Sequence, residues 1–166
     1  SNGQCDIGLV EAPVAAPTLE VEQFSLPCVC IFPSGSALER KDRTTPADLA
    51  DHRLVGIQDS NQVDRQVRAI CAEAGFEVQV SVHGFFFAVV RRMVAEGAGI
   101  AIVDALNGCM SLQDGVSWRP FEPEIRYDTA LVVKAGAELS LPSQAFIQII
   151  RDEMKARAIL PDVVAV

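Results

Sequence analysis

Two hydrophobic periods alternate through the middle of the chain. Leu54-Val55-Gly56-Ile57 and Ile100-Ala101-Ile102-Val103 carry no polar side chain, as strands buried on both faces do. Between them Val78, Val80 and Val82 recur at every second position and predict a third strand. Val63, Val67, Ile70, Cys71 and Ala74 recur instead at helical spacing, which predicts a helix over 61–74 with Gly75 as its stop. Phe86, Val89, Val90, Met93 and Val94 predict a second helix over 86–96 with a broad apolar face, ended by Gly97 and Gly99. Strand–helix–strand–helix–strand, with connections too long for hairpins, predicts parallel strands covered by helices on both faces.

The flanks read differently. Asp6 to Val10 is a short strand that stops at Glu11-Ala12-Pro13, and Phe24 to Phe32 is a longer one closed by Pro33-Ser34-Gly35-Ser36. Thr45-Pro46-Ala47-Asp48 has the form of a helix start, with Thr45 as N-cap and Pro46 at the first helical position. Trp118 and Phe121 fall in an extended piece interrupted by Pro120 and Pro123, and a strand follows over 128–134. Ser140-Leu141-Pro142 opens a last helix to about Ala158, with Phe146, Ile149, Ile150 and Met154 expected on its buried face. The two ends frame the middle. Residues 3–31 with 123–160 are expected to form one lobe, and 32–122 a second lobe inserted into it. Proteins on that two-crossover plan bind ligands in the cleft between lobes and close by hinge motion.

Composition narrows the function. Fourteen Lys and Arg against 22 Asp and Glu leave a net charge of −8, with Arg91-Arg92 the only adjacent arginine pair. A surface that displaces counterions from phosphates needs clustered cations, so this piece is not expected to grip nucleic acid. No apolar run approaches the ~20 residues of a membrane span, and no export signal opens the chain; a cytoplasmic location is expected. Five cysteines at irregular spacing are expected to be reduced. Cys28 and Cys30 share one strand face, but with only His52 and His83 as histidines they are expected to be core thiols, not metal ligands. No nucleophile elbow, phosphate loop or zinc-protease signature is present. The chain is therefore expected to be no enzyme, with no catalytic residue, cofactor or metal.

Ligands of parallel sheets gather beyond the carboxyl ends of the strands. That rule selects Gln58-Asp59-Ser60-Asn61, His83-Gly84-Phe85 and Asp104 with its neighbours. Ser60 and Asn61 stand at a helix N-terminus, where free N–H groups suit a carboxylate; equally, Asp59, Ser60 or Asn61 can simply cap the helix. His83 can donate to a ligand or bond to backbone. Asp104 can pair with an ammonium group or cap the next turn, and the first reading favours an amino-acid-like effector. Of Phe85, Phe86 and Phe87, Phe85 is expected to reach the ligand and the others the core.

The same segments resemble, in order, the effector-binding domain of LysR-type transcriptional regulators. Gly3-Gln4-Cys5-Asp6-Ile7-Gly8-Leu9-Val10 is similar to the family's G-x-x-D-[LI]-[AG]-[LI]-V strand, and Leu26 to Pro33 to its crossover strand. Thr45-Pro46-Ala47-Asp48-Leu49 resembles the s-l-a-D-L segment. Met93-Val94-Ala95-Glu96-Gly97-Ala98-Gly99-Ile100-Ala101-Ile102-Val103 resembles L-V-A-x-G-L-G-I-A-[LI]-[LV], the most specific element, and Ser140 to Arg151 resembles the closing helix. The chain departs where Gly35-Ser36 replaces the family's His-Pro and where Ala105 replaces a proline.

The resemblance implies an α/β, two-lobe, periplasmic-binding-protein-like (type 2) fold with parallel-core sheets covered by helices. It implies a small-molecule effector, a homodimer or higher homo-oligomer, and DNA contact only through a winged helix-turn-helix domain that this sequence does not contain. Two strand–helix units that open the family's domain are also missing, so the first lobe is expected to be incomplete and prone to self-association. The alternative of the same plan is a periplasmic solute-binding protein of a transporter, which an upstream export signal would mark.

Overall fold

The computed structural model describes residues 5–58, 61–110 and 112–161. In chain order the elements are β1 (Ile7–Glu11), β2 (Leu19–Pro33), a 3-10 turn (Ala37–Arg40), α1 (Pro46–Ala50), β3 (Leu54–Ile57), α2 (Gln62–Glu73), β4 (Val80–Gly84), α3 (Phe87–Ala95), β5 (Ala101–Asp104), α4 (Ala105–Gly108), β6 (Val116–Pro120), β7 (Arg126–Lys134) and α5 (Leu141–Arg157). They divide into two compact units, Ser1–Leu26 with Asp128–Ile159 and Pro27–Tyr127 with Leu160–Val166. The chain thus passes from the first unit to the second within β2 and returns within β7.

The central unit is a sheet covered on both faces. β3 and β4 run parallel, with Gly56 opposite His83 and Ile57 opposite Gly84. Leu54 bridges Ile100 in the same sense, and Val55 N–H donates to Ile100 O at 2.8 Å. The three strands read from the pattern between Leu54 and Val103 are therefore parallel neighbours. The sheet then turns antiparallel, since β2 pairs with β5 from Cys28–Asp104 to Ile31–Ala101, and β6 pairs with the other edge of β2. The expected parallel core holds for β3, β4 and β5, and β2 and β6 extend it in the antiparallel sense. A strand buried on both faces is apolar throughout whichever way its neighbour runs, so the pattern carries no direction.

Strand alternation sorts the core. Cys28, Cys30, Phe32, Leu54 and Ile102 face α2, whose Val63, Val67 and Cys71 cover them. Val29, Ile31, Val55, Ile57, Ala101 and Val103 face the other way and meet Val90 and Val94 of α3. The helix ends follow local chemistry. Asn61 caps α2, and Thr45 with Asp48 forms a capping box on α1. Gly99 resolves the close passage from α3 into β5: its φ is +151°, and a Cβ there would lie 2.2 Å from the Arg53 carbonyl oxygen. Ile100 N–H bonds that same oxygen at 2.9 Å.

In the other unit β7 lies between β1 and the first part of β2, with Ile7 opposite Val133 and Glu11 opposite Thr129. Ser140 caps α5 as its sequence predicts. The buried stripe of α5 is Ile147 and Met154, whereas Phe146 and Ile149, expected inside, are exposed. Apolar residues at 146, 147, 149 and 150 occupy two overlapping faces of this helix, and periodicity alone chose the wrong one. Among the described residues no helix is long and apolar enough to cross a membrane.

Candidate functional site

Three parallel strands end together, so Ile57, Gly84 and Asp104 bring their following loops to one edge of the central unit. The first two loops are joined by backbone: Gln58 N–H donates to Gly84 O at 3.1 Å, and Asn61 N–H donates to Gln58 O at 2.8 Å. Gln58 is exposed. Asn61 is the cap of α2, its Oδ1 accepting from Val63 N–H at 2.8 Å. Asp59 and Ser60 lie outside the described residues.

The second loop is shaped by close approaches. His83 is exposed on β4, and its ring lies over Gly56, where a Cβ would come within 2.9 Å of Cδ2 and 3.1 Å of Nε2. A glycine inside an otherwise apolar strand signals such an approach, a sign that sequence reading passed over. Gly84 is buried beneath Val90, which a Cβ would meet at 2.7 Å. Beyond it the chain presents two aromatic rings to solvent, Phe85 and Phe86, each 72% exposed. The expectation that Phe86 joins the core is corrected. Phe86 is the N-cap of α3 with extended backbone, so it precedes the helix and does not share its buried face. Only Phe87 turns inward, meeting Tyr127 edge-on with ring centroids 5.1 Å apart. The Phe86 carbonyl accepts from Val89 and Val90 N–H, but its side chain has no oxygen, so α3 begins without a side-chain cap.

At the third strand end Asp104 is consumed by structure. It caps the single turn of α4, accepting from Asn107 N–H at 3.2 Å and Asn107 Nδ2 at 2.8 Å. It is 2% exposed, and burial pushes its carboxyl above the ordinary range. This is the capping reading: each carboxylate oxygen accepts a hydrogen bond from Asn107. Behind α4 the buried Arg91 of α3 binds Asp114 through both carboxylate oxygens, at 2.7 and 2.9 Å.

Cys28 stands opposite Asp104 at this edge and Cys109 follows α4, both buried. Cys28, Cys30, Cys71 and Cys109 are buried, Cys5 is exposed, and none is in a disulfide. Burial pushes the Cys30 thiol up to about 12 and raises that of Cys71. Among the described residues no cluster of three or more His, Cys, Asp or Glu could hold a metal ion.

Comparison with known proteins agrees with this architecture. The "Hydrogen peroxide-inducible genes activator" of Pectobacterium carotovorum subsp. carotovorum is 26% identical over 160 residues, covering 92% of this chain and 53% of that protein. The chain thus spans about half the length of the curated relatives it matches. The Synechocystis PCC6803 CcmR regulatory domain, solved in complex with 2-PG, superposes with a TM-score of 0.67 at 18% identity, over 97% of this chain and 77% of that one. The effector-binding domain of QuiR, solved with shikimate, gives 0.65 at 16% identity, over 95% and 76%. At these identities the structures establish the shared fold, the type 2 periplasmic-binding-protein-like α/β fold. These relatives are regulators, and the solute-binding transporter protein finds no support among them. The LysR substrate binding domain family matches residues 1–155, and the chain belongs to that family.

Proposed function

We propose that this chain is the effector-sensing part of a cytoplasmic DNA-binding regulator, holding a small carboxylate-containing metabolite without changing it chemically. The two compact units are read as the two lobes of the family's domain. Its partners would be the effector, further copies of itself, and DNA through a winged helix-turn-helix domain elsewhere in the protein. The single observation that carries the reading is the convergence of three parallel strand ends with the start of α2 at one edge. Gln58 to Asn61, His83, Gly84 and Phe85 are the proposed contacts: the polar first loop, with the exposed Gln58 side chain, for an anion, an imidazole, and an exposed ring for the apolar part. Asp104 supports the edge from behind as a cap. The ligands held by the CcmR and QuiR domains support a small organic acid. For self-association, the outer side of α3 and β4 offers a groove of about 540 Å³ lined by Val82, Ala88, Val89, Met93 and Ala98 and flanked by the Arg92–Glu96 ion pair.

Peroxide sensing, suggested by the relative's name, is disfavoured at Cys28, Cys30, Cys71 and Cys109 by their burial, since oxidation selects exposed thiolates, and Cys5 alone is exposed. A thermal-shift screen with amino acids and small hydroxy, keto and aromatic acids tests the proposal. Stabilisation by a carboxylate, lost with its uncharged amide and weakened in Phe85→Ala, is the expected result. A response to peroxide and to no acid would contradict it.

A further inference from the structure

Arg91 is a buried cation that neither the sequence motifs nor the proposed contacts account for; it is 4% exposed. All five of its N–H donors are placed. Nε and one Nη2 hydrogen reach the two oxygens of Asp114, at 2.7 and 2.9 Å. Nη1 donates to the carbonyls of Asn107 and Gly108 at 2.9 and 3.0 Å, and Nη2 also reaches that of Met110 at 3.4 Å. Asp114 passes the connection on, accepting from Val116 N–H at the first residue of β6.

This places one guanidinium between two of the three loops at the strand-end edge. Arg91 stands in the second turn of α3, whose start carries Phe85 and Phe86. The carbonyls it holds belong to the end of α4, whose other end is fixed by Asp104. Gly108 closes the clamp from below, packed so tightly on Val29 that a Cβ would approach its Cγ2 to 2.2 Å. A planar fork with five fixed donors suits such a node, and a lysine could not reproduce it. Separating α3 from α4 would strand a buried charge, which is strongly unfavourable.

We propose that Arg91 is a positioning residue that couples the Phe85 end of α3 to α4, Asp114 and Val116, so that these two rims of the edge open and shift as one body. Its consequence for effector response rests on the function proposed above. The coupling itself is a property of the ligand-free domain and is tested without effector, so the two can fail separately. Native-state hydrogen exchange reads it directly. In the wild-type domain the amides of Val90 and Cys109 are expected to share one opening free energy. Arg91→Lys is expected to speed exchange at Cys109 and Val116 by about 10- to 100-fold while α2 amides such as Val67 change by less than about threefold. Asp114→Asn keeps all five donors and is expected to produce the same pattern at smaller amplitude, so it carries the test if Arg91→Lys does not fold. Independent opening of Val90 and Cys109 in the wild type would overturn the proposal. So would acceleration that includes α2 equally, or an Asp114→Asn domain whose Cys109 and Val116 amides exchange as in the wild type.

Discussion

Replacing Gly99 by alanine tests why the Gly97-Ala98-Gly99 stretch resembles its family so closely. At φ +151° an alanine is held in backbone territory that costs about 1–3 kcal/mol. Its Cβ would also lie 2.2 Å from the Arg53 carbonyl oxygen, a backbone atom that can retreat only by parting β3 from the start of β5. That movement lengthens the bonds from Ile100 N–H to Arg53 O and from Val55 N–H to Ile100 O, now 2.9 and 2.8 Å, each worth about 1 kcal/mol net. The sum is roughly 3–5 kcal/mol, against a total stability of about 5–15 kcal/mol for a domain. Gly97→Ala is the control: its φ is +79°, but nothing lies within 4 Å of the added carbon, so only the left-handed penalty of about 1–2 kcal/mol applies. Urea unfolding followed by Trp118, the single tryptophan, reports on this unit. With a slope near 2 kcal/mol per molar, Gly99→Ala should lower the midpoint by roughly 1.5–2.5 M and Gly97→Ala by about 0.5–1 M. Equal shifts for the two variants would refute the crowding argument.

Three further outcomes follow from the same geometry. Because Arg91 holds the Asp114 carboxyl below its ordinary range, its contribution is present above the unfolded-state value and is lost as pH falls through the folded one; Asp114→Asn should flatten the acid limb of a stability–pH curve. Asp104 has the opposite sign, since burial raises it. Its contribution weakens as pH rises between the unfolded and folded values; Asp104→Asn, which can still cap, should change stability at neutral pH by less than about 1 kcal/mol, and Asp104→Ala should cost about 1–2 kcal/mol by denaturant titration. Ellman's reagent should modify Cys5 rapidly in the folded protein and the four buried cysteines only on unfolding; prompt reaction of Cys71 would contradict the packing of α2.

Much of the central unit was legible because its elements carry unambiguous periods. α2 could be nothing but a helix from Val63, Val67 and Cys71, and the parallel run of β3, β4 and β5 followed from connection length. Strand direction beyond β5 was not legible, since Val29 to Phe32 reads the same beside a parallel or an antiparallel neighbour. Phe86 and the face of α5 were misjudged for a related reason: an apolar residue at helical spacing signals burial only when something packs over it. The site was legible as a place but less so as chemistry. Asn61 and Asp104 were rightly seen as capping types, yet sequence could not say that Asp104 would be buried against Asn107. Gly56 and Arg91 act through partners distant in sequence, His83 on the neighbouring strand and Asp114 beyond α4, and only the folded chain shows those pairs.

The most direct test of the proposed site is an amide shift map of the domain titrated with the best-stabilising acid from the thermal screen. Saturable shifts concentrated at Gln58, Asn61, His83, Gly84, Phe85 and the first turn of α3 are predicted. Shifts confined to α5 and β1, with those residues unmoved, would contradict the assignment of an effector site to the strand ends.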